Sequence, residues 1–417
     1  MKETRKTRWT RAWLCAILAL TLLLAACGSQ TASESAGGSG GTNGSAGASE
    51  PIKIGAILSF SGNFAPLSES IKEGMELYFE QTGNKIGDRQ VSIVYEDDEA
   101  NPQVALRKYR QLVESEQVDL LVGPISSSVV YALRDVIEKD KIVLIDANAA
   151  ANDISWDKKS DYIYRVSISN WQDGMPAAEY IAQNIGKKAY VLAPDYPAGH
   201  ETIEAFEDAF KKAGGEIVKE AWPKLGNNDY ATYLTDILQT KPDLVFSFLS
   251  GTDAIRFVQQ YEQFGVKGKI PLTGTEEFLD PLVTEPTGQA AEGIIGATMY
   301  TSSLDNPVNQ KFVEAFTQKY NKTPNYFNVQ GYDSAQVIAK AIEQAGSTNA
   351  DDLINVLKEI KFSSPRGELA MDPKTHNLAL DMYLVKNVWK DGKIVQEVLG
   401  IAAKGLKIPE TPPTPSK

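Results

Sequence analysis

The residues best suited to chemistry in this chain sit at the ends of short apolar runs. Gly123-Pro124-Ile125-Ser126-Ser127-Ser128 follows one such run and opens an amphipathic stretch. At a helix start the first backbone N–H groups have no carbonyl to take them, and adjacent hydroxyls add donors, so the loop suits an anion such as a carboxylate. The same serines also make an ordinary N-cap, worth about 1 kcal/mol of helix stability and no function. Glu276-Glu277 follows the run ending near Leu272, after Gly274. Carboxylates there either pair an ammonium group or stay solvated. Phe64, Tyr95, Trp171, Tyr196, Tyr300 and Tyr326 fall at or near element ends, from which rings line a cleft or close a core.

Other chemistries lack raw material. The two histidines are His200, after Asp195-Tyr196-Pro197-Ala198-Gly199, and His376, in the turn Pro373-Lys374-Thr375-His376-Asn377. They are too far apart in sequence to suggest a metal site and are expected as cap or loop residues. No phosphate-cradling glycine loop follows a strand, so neither a nucleotide nor any other cofactor is expected. Gly37-Gly38-Ser39-Gly40-Gly41 matches the hydrolase elbow pattern, but an elbow needs a strand before it and a helix after it. No Ser/His/Asp arrangement stands out, and a surface hydrolase is the weakest reading; the chain is not expected to be an enzyme.

The elements that position these residues begin after a leader. Residues 1–12 are basic, and the apolar run from Ala12 to Ala26 is about fifteen residues long, short for a spanning helix but right for a secretory signal. It closes on Leu24-Ala25-Ala26-Cys27, which resembles the lipobox of bacterial lipoproteins, in which the cysteine becomes the lipidated N-terminus. Cys15 falls inside the run, so residues 28–417 hold no cysteine, and with it no disulfide, thiolate zinc site or thiol nucleophile. Residues 27–50 are Gly, Ser, Ala, Thr and Asn with little apolar content. They read as a flexible tether with a typical reach of about 25 Å.

The whole chain has 42 Lys+Arg against 54 Asp+Glu, a net charge of −12. Residues 1–26 hold five of those bases and one acid, so the remainder is more acidic still. A polyanion needs a basic footprint, so nucleic acid is not a partner.

From Pro51 onward short β-branched runs alternate with amphipathic stretches. Strands are expected at 52–58, 91–96, 118–122, 141–145, 162–166, 189–193, 216–219, 244–249 and 269–272. Helices are expected at 67–81, 102–115, 127–138, 174–184, 201–212, 230–239, 254–264 and 309–320. In the helix from Glu201, Ile203, Phe206 and Phe210 form one buried stripe. Alternating units of this length predict an α/β fold with parallel sheets and helices on both faces, and the length exceeds one core, so two doubly wound lobes are expected. Ligands of such sheets sit beyond the carboxyl ends of the strands, which marks the loops 59–68, 123–128, 147–152 and 194–200.

With those loops in view, the chain resembles the substrate-binding proteins of branched-chain amino-acid-type ABC importers, in the type I periplasmic-binding-protein family. The likeness covers Ile52 to Ala403. It rests on Ile54-Gly55-Ala56 through Ser59-Phe60-Ser61-Gly62, Glu96-Asp97-Asp98 with Pro102 and Ala105, and Gly123-Pro124-Ile125-Ser126-Ser127. Asp195-Tyr196 with Gly199 and Phe206, Ala213-Gly214-Gly215, Gly288-Gln289-Ala290-Ala291-Glu292-Gly293 and Gly331-Tyr332-Asp333 complete it.

The resemblance implies two lobes joined by three crossover strands and closing about a hinge: 51–168 with 301–370, and 169–300 with 371–405, followed by a Pro-rich tail, 406–417. It implies that Ser127, flanked by Ser126 and Ser128, and Ala149-Ala150 hold a ligand carboxylate. Glu276 would hold an ammonium group, with Phe64, Leu67 and Tyr196 lining the site. Three positions depart from relatives that bind leucine-like amino acids. A carboxylate-binding Thr is Ala150 here, an aromatic of the first loop is Leu67, and a Tyr before the Gly199 equivalent is Ala198. A buried carboxylate missing one hydrogen bond loses about 1.5–3 kcal/mol unless another donor replaces it. Two ligand classes therefore stand: an amino acid of the branched-chain type, or an aromatic or other small carboxylate. The expected protein is a monomer, extracytoplasmic and lipid-anchored to the cell membrane, that delivers its ligand to an ABC permease. The alternative role is the ligand-sensing subunit of a receptor.

Overall fold

The computed structural model describes residues 50–413. Cys27, the apolar run before it, most of the Gly/Ser-rich segment and the last four residues lie outside the described residues.

Fifteen strands form one continuous system among the described residues. In chain order the first six are β1 (Ile52–Leu58), β2 (Lys85–Ile86), β3 (Arg89–Asp97), β4 (Leu120–Gly123), β5 (Leu144–Asp146) and β6 (Ile163–Arg165). Next come β7 (Lys188–Leu192), β8 (Glu216–Ala221), β9 (Leu244–Ser247), β10 (Leu272–Gly274) and β11 (Ile295–Thr298). The last four are β12 (Lys361–Ser364), β13 (Gly367–Asp372), β14 (Asn377–Lys390) and β15 (Lys393–Leu406). The order across the sheet is β2-β3-β1-β4-β5-β6-β14-β11-β10-β9-β7-β8. Pairing among β1, β3, β4, β5 and β6, and among β7 to β11, is parallel; β2 joins β3 as an antiparallel edge, and β12 to β15 pair antiparallel with one another. The central strands are apolar on both faces because helices cover both. In β1, Ile52, Ile54, Ala56, Ile57 and Leu58 are all buried.

The two halves meet at β14. Its Asn377 pairs in parallel with Arg165 of β6, while Tyr383–Lys386 pair antiparallel with β11. The chain also passes between halves after β6 and after β11, so three segments cross among the described residues. One large apolar core lies mainly under the first half, and a second, built on Tyr190, Val245, Phe257, Phe278 and Val283, lies within the other.

Two glycines show why the first half is tightly packed. A Cβ on Gly74 would lie 1.9 Å from the Asn328 carbonyl oxygen, and one on Gly331 would lie 1.9 Å from that of Ile71. The helices Ala65–Gln81 and Tyr326–Ala345 therefore touch backbone to backbone.

Most expected elements are present, with three corrections. The stretch 174–184 is two helices, Asn170–Gly174 and Ala178–Asn184, because Pro176 supplies no N–H between them. The strand expected at 269–272 is Leu272–Gly274; Val245 N donates to Pro271 O, so pairing with β9 starts only there. The helix containing His200 begins earlier, at Pro197. The stretch 361–406, to which the sequence pattern assigned no element, is a run of antiparallel strands. The stripe of Ile203, Phe206 and Phe210 is buried as expected, with Phe206 stacked on Phe246 of β9 at 3.6 Å between ring centroids.

Candidate ligand-binding cleft

The loops that follow β4, β5, β7, β9 and β10 converge where the two halves face each other. There they enclose a cavity of ≈ 40 Å³. Gly123 makes the first approach possible. It has φ +108°, and a Cβ there would lie 2.0 Å from the Ile57 carbonyl oxygen. The chain can thus turn across β1 and begin the helix Ser127–Asp140 at the cavity wall, with Ser126 as N-cap.

Of the expected site residues, Phe64, Leu67, Ser127, Ala150, Tyr196 and Glu276 line the cavity. Ser126, Ser128 and Ala149 do not appear on its lining. Successive residues at a helix start point about 100° apart, so only one of three consecutive serines faces the space. Ala149 is turned into the protein: its N–H donates to Pro124 O, and its carbonyl accepts from Arg165 Nε at 3.1 Å. Among the six aromatics singled out by position, Tyr326 also lines the cavity. Tyr95 packs on Phe60, and Tyr300 is buried with its hydroxyl donating to Asn309.

Sequence reasoning missed Asn148, Asn170, Asp173, Phe248, Ser250 and Gln330, which all line the same space. Asn148 Nδ2 donates to Gln330 Oε1 at 2.8 Å, tying the loop after β5 to the helix Tyr326–Ala345. Asp173 is the largest omission. It is 6% exposed, and among the described residues its Oδ1 has no hydrogen-bond partner.

The two walls differ in charge. The first-half wall carries Ser127, Asn148, Ala150 and Gln330, all uncharged, next to the open end of a helix. The facing wall carries Asp173, Glu276 and Glu277, and no Lys, Arg or His is among the lining residues. Glu276 Oε2 accepts from Met299 N at 3.0 Å and Thr298 Oγ1 at 3.2 Å; Glu277 accepts from Thr275 Oγ1. Just outside, Asp280 accepts from Leu282 N and Tyr326 N. Burial, then repulsion from Glu277, pushes Glu276 up to about 8. Burial pushes Glu277 and Asp280 each up to about 7. Burial, with Glu277 and Glu276 beside it, holds Asp173 well above the usual carboxylate range. Acids crowded this way hold on to protons that a solvated carboxyl would give up, and a cation brought among them would favour their release.

Direct bonds between the halves close the rim. Asn63 Nδ2 donates to Ser250 O at 3.0 Å, and its Oδ1 accepts from Thr252 Oγ1 at 2.7 Å and Asp253 N at 2.9 Å. Neither histidine reaches the cavity. His200 stacks on Trp222 beside Asp195, and buried His376 stacks on Tyr164, its pKa pushed down to about 4 by burial. No group of His, Cys, Asp and Glu among the described residues could hold a metal ion.

A cleft between two α/β halves, crossed three times and closed by direct bonds, fits proteins that wrap a small solute. Residues 51–393 match the family described as periplasmic binding proteins. The chain belongs to that family. It is 30% identical over 346 residues to a Brucella melitensis protein named Leu/Ile/Val-binding protein homolog 6, covering 82% of this chain and 88% of that one. Among solved structures it is similar to an R. palustris ABC-transporter solute-binding protein in complex with benzoate, with TM-score 0.82 and 32% identity. That likeness covers 87% of this chain and 99% of the other. It is likewise similar to an ABC transporter substrate-binding protein from Sphaerobacter thermophilus, with TM-score 0.78 and 35% identity over 84% and 97% of the two chains. The fold is that of type I periplasmic binding proteins. The chain is accordingly an extracytoplasmic solute-binding component of an ABC transporter, not an enzyme. No described helix is long and apolar enough to cross a membrane.

Proposed function

We propose that this protein captures a small amphipathic carboxylate, an amino acid of the branched-chain type, between two closing lobes and delivers it to a membrane permease. The carrying observation is the asymmetry of the cleft: an uncharged helix start on one wall, and three carboxylates without a base on the other. A zwitterion complements both. Its carboxylate would lie against the start of the helix Ser127–Asp140 with Ser127 and Ala150, and its ammonium among Asp173, Glu276 and Glu277. The side chain would rest on Leu67, Ile125, Ile168 and the rings around them. The name of the Brucella melitensis relative supports an amino acid.

Affinity in this scheme is differential: each wall alone holds half of the ligand, so the full set of contacts exists only on closure. The lobes are 51–168 with 301–370 and 169–300 with 371–405, moving about the crossing segments. Cys27, lipidated after removal of residues 1–26, anchors the body through residues 27–50.

A second reading, an aromatic carboxylate, is favoured by Phe64, Tyr196, Phe248 and Tyr326 on the cavity wall and by the benzoate held by the R. palustris neighbour. A thermal-shift screen of residues 51–417 against amino acids, benzoate and hydroxybenzoates separates the two. A ligand at 100 times its Kd stabilises by about 2.7 kcal/mol, a shift of several degrees. Shifts with aliphatic amino acids support the first reading, and shifts with amine-free acids alone replace it by the second.

A further inference from the structure

Behind the cleft, on the far side of Asn170 from the cavity, lies a carboxylate that does not line the ligand space. Glu201 stands on the helix Pro197–Lys212, which follows β7 in the second half. Its Oε1 accepts from the Tyr131 hydroxyl at 2.6 Å. Its Oε2 accepts from the Asn152 backbone N–H at 2.6 Å and from Asn170 Nδ2 at 2.8 Å. Tyr131 is on the helix that Ser127 opens, and Asn152 follows the loop that carries Ala150; both belong to the first half. Asn170 starts the short helix that carries Asp173, directly after the first crossing, and its Nδ2 also lies 3.5 Å from Ser127 Oγ. Two further bonds complete the joint: Trp171 N donates to Asn152 Oδ1 at 2.9 Å, and Asn170 N donates to Ala150 O at 2.7 Å.

We propose that Glu201 is a positioning residue: a latch that locks the second half onto the ligand-binding loops of the first and fixes the Asn170 amide at the cavity wall. One carboxylate thereby joins four ligand-bearing elements: the Ser127 helix, the Ala150 loop, the Asp173 helix and the helix that opens beside Tyr196. Hydrogen bonds accepted by an ionised carboxylate are about twice as strong as neutral ones. Swinging the halves apart removes the Tyr131 and Asn152 donors together, because both sit on the opposite half. The bond to Asn170, within the second half, survives opening and keeps Glu201 oriented for re-engagement. All three bonds are made by protein groups alone, so the ligand-free protein populates the closed arrangement through them. The rate at which ligand escapes is therefore set partly at a residue that never meets it. This rests on the closing-lobe reading above, not on which solute is taken.

The test uses Glu201→Gln, which keeps size and removes the charge, and Tyr131→Phe, which removes one donor from the opposite half. Residues 28–417 hold no cysteine, so Glu69→Cys with Asn228→Cys, both exposed and on opposite halves, gives a clean pair for spin labels. Distances between labels are measured without ligand and with saturating L-leucine, L-phenylalanine or benzoate. Dissociation rates are measured for whichever probe binds. The expected result is that Glu201→Gln depletes the short-distance population of the ligand-free protein and speeds dissociation at least fivefold. Tyr131→Phe should move both readouts in the same direction by less. A residue that only stabilises its own helix would lower the melting temperature and leave the distances alone. Unchanged ligand-free distances in Glu201→Gln overturn the latch. If none of the three probes binds the unmutated protein, the proposed ligand classes fail, while the ligand-free distances still decide the latch. If Glu201→Gln does not fold, Tyr131→Phe decides by the same distances.

Discussion

Among the described residues, each buried guanidinium where the chain crosses between halves meets an aspartate, whereas in the cleft three buried carboxylates meet no base. Arg366 donates to Asp333 Oδ2 through Nη2 at 2.6 Å and Nε at 2.9 Å, and also reaches Val166 O and Met299 Sδ. One side chain thus ties the segments after β6 and β11 to the helix Tyr326–Ala345. Arg165 lies 3.5 Å from Asp146 and binds the carbonyls of Ala149 and Ala151 and the Asn377 amide oxygen. That pairing is looser, and burial still pushes Asp146 up to about 7. Charge balanced within the chain holds a framework. Charge left unbalanced beside an open space is held there at a cost, and a cationic ligand removes that cost.

The sharpest way to break this contrast is to unbalance the framework. Arg366→Met leaves Asp333 buried and unpaired and should cost about 3–5 kcal/mol in urea unfolding. Arg366→Met with Asp333→Leu should recover much of that loss; a double variant as unstable as the single one would mean the pair matters for its shape rather than its charge.

Removing acids from the cleft should do the reverse. Glu276→Ala or Asp173→Asn relieves buried repulsion and should leave the ligand-free protein as stable or more so. Calorimetry should show an amino-acid ligand weakened at least tenfold, about 1.4 kcal/mol. Unchanged affinity in both would point to an amine-free ligand.

Acidity offers a third handle. The cleft carboxylates have folded pKa values raised above their unfolded ones, so the folded state binds more protons between about pH 4 and 8. Ligand-free stability attributable to these groups should fall as pH rises through that window. Affinity for an amine-bearing ligand should rise over the same range, with protons released on binding. Titrations in buffers of different ionisation enthalpy read that proton count, and uptake instead of release would contradict an ammonium among the acids. The smallest effect is expected from Ser127→Ala, which removes one hydroxyl beside the helix start and should weaken binding about fivefold, close to 1 kcal/mol.

The parts of this site that were legible in sequence are those fixed by local rules. The strand–turn–helix of Gly123–Ser128 announces a helix start, and Ser127 is where that rule put it. Glu276 was a candidate from its place after a strand, and the resemblance chose between its pairing an ammonium group and staying solvated. Asp173 was not legible because Trp171-Gln172-Asp173-Gly174 looks like any polar helical turn; only the crossing before it turns that helix into the cleft. The helix Tyr326–Ala345 escaped for a related reason. Asn328, Gln330, Asp333 and Ser334 are polar yet buried, each bonded to a distant or carbonyl partner, so no amphipathic stripe marks it. The antiparallel strands of 361–406 were missed because the preceding β/α alternation gave no cue that it would stop.

β14 has a mechanical consequence. A single ribbon of fourteen residues is stitched into the ladders of both halves, so their relative rotation must be absorbed as torsion along that ribbon and the two other crossings. A strand is already near full extension at about 3.2–3.4 Å per residue and has little length left to give. If the lobes move as proposed, opening would be a screw-like turn rather than a separation. The mouth would then gape while the two walls stay in register, so that Ser127 and Asp173 would return to the same facing positions.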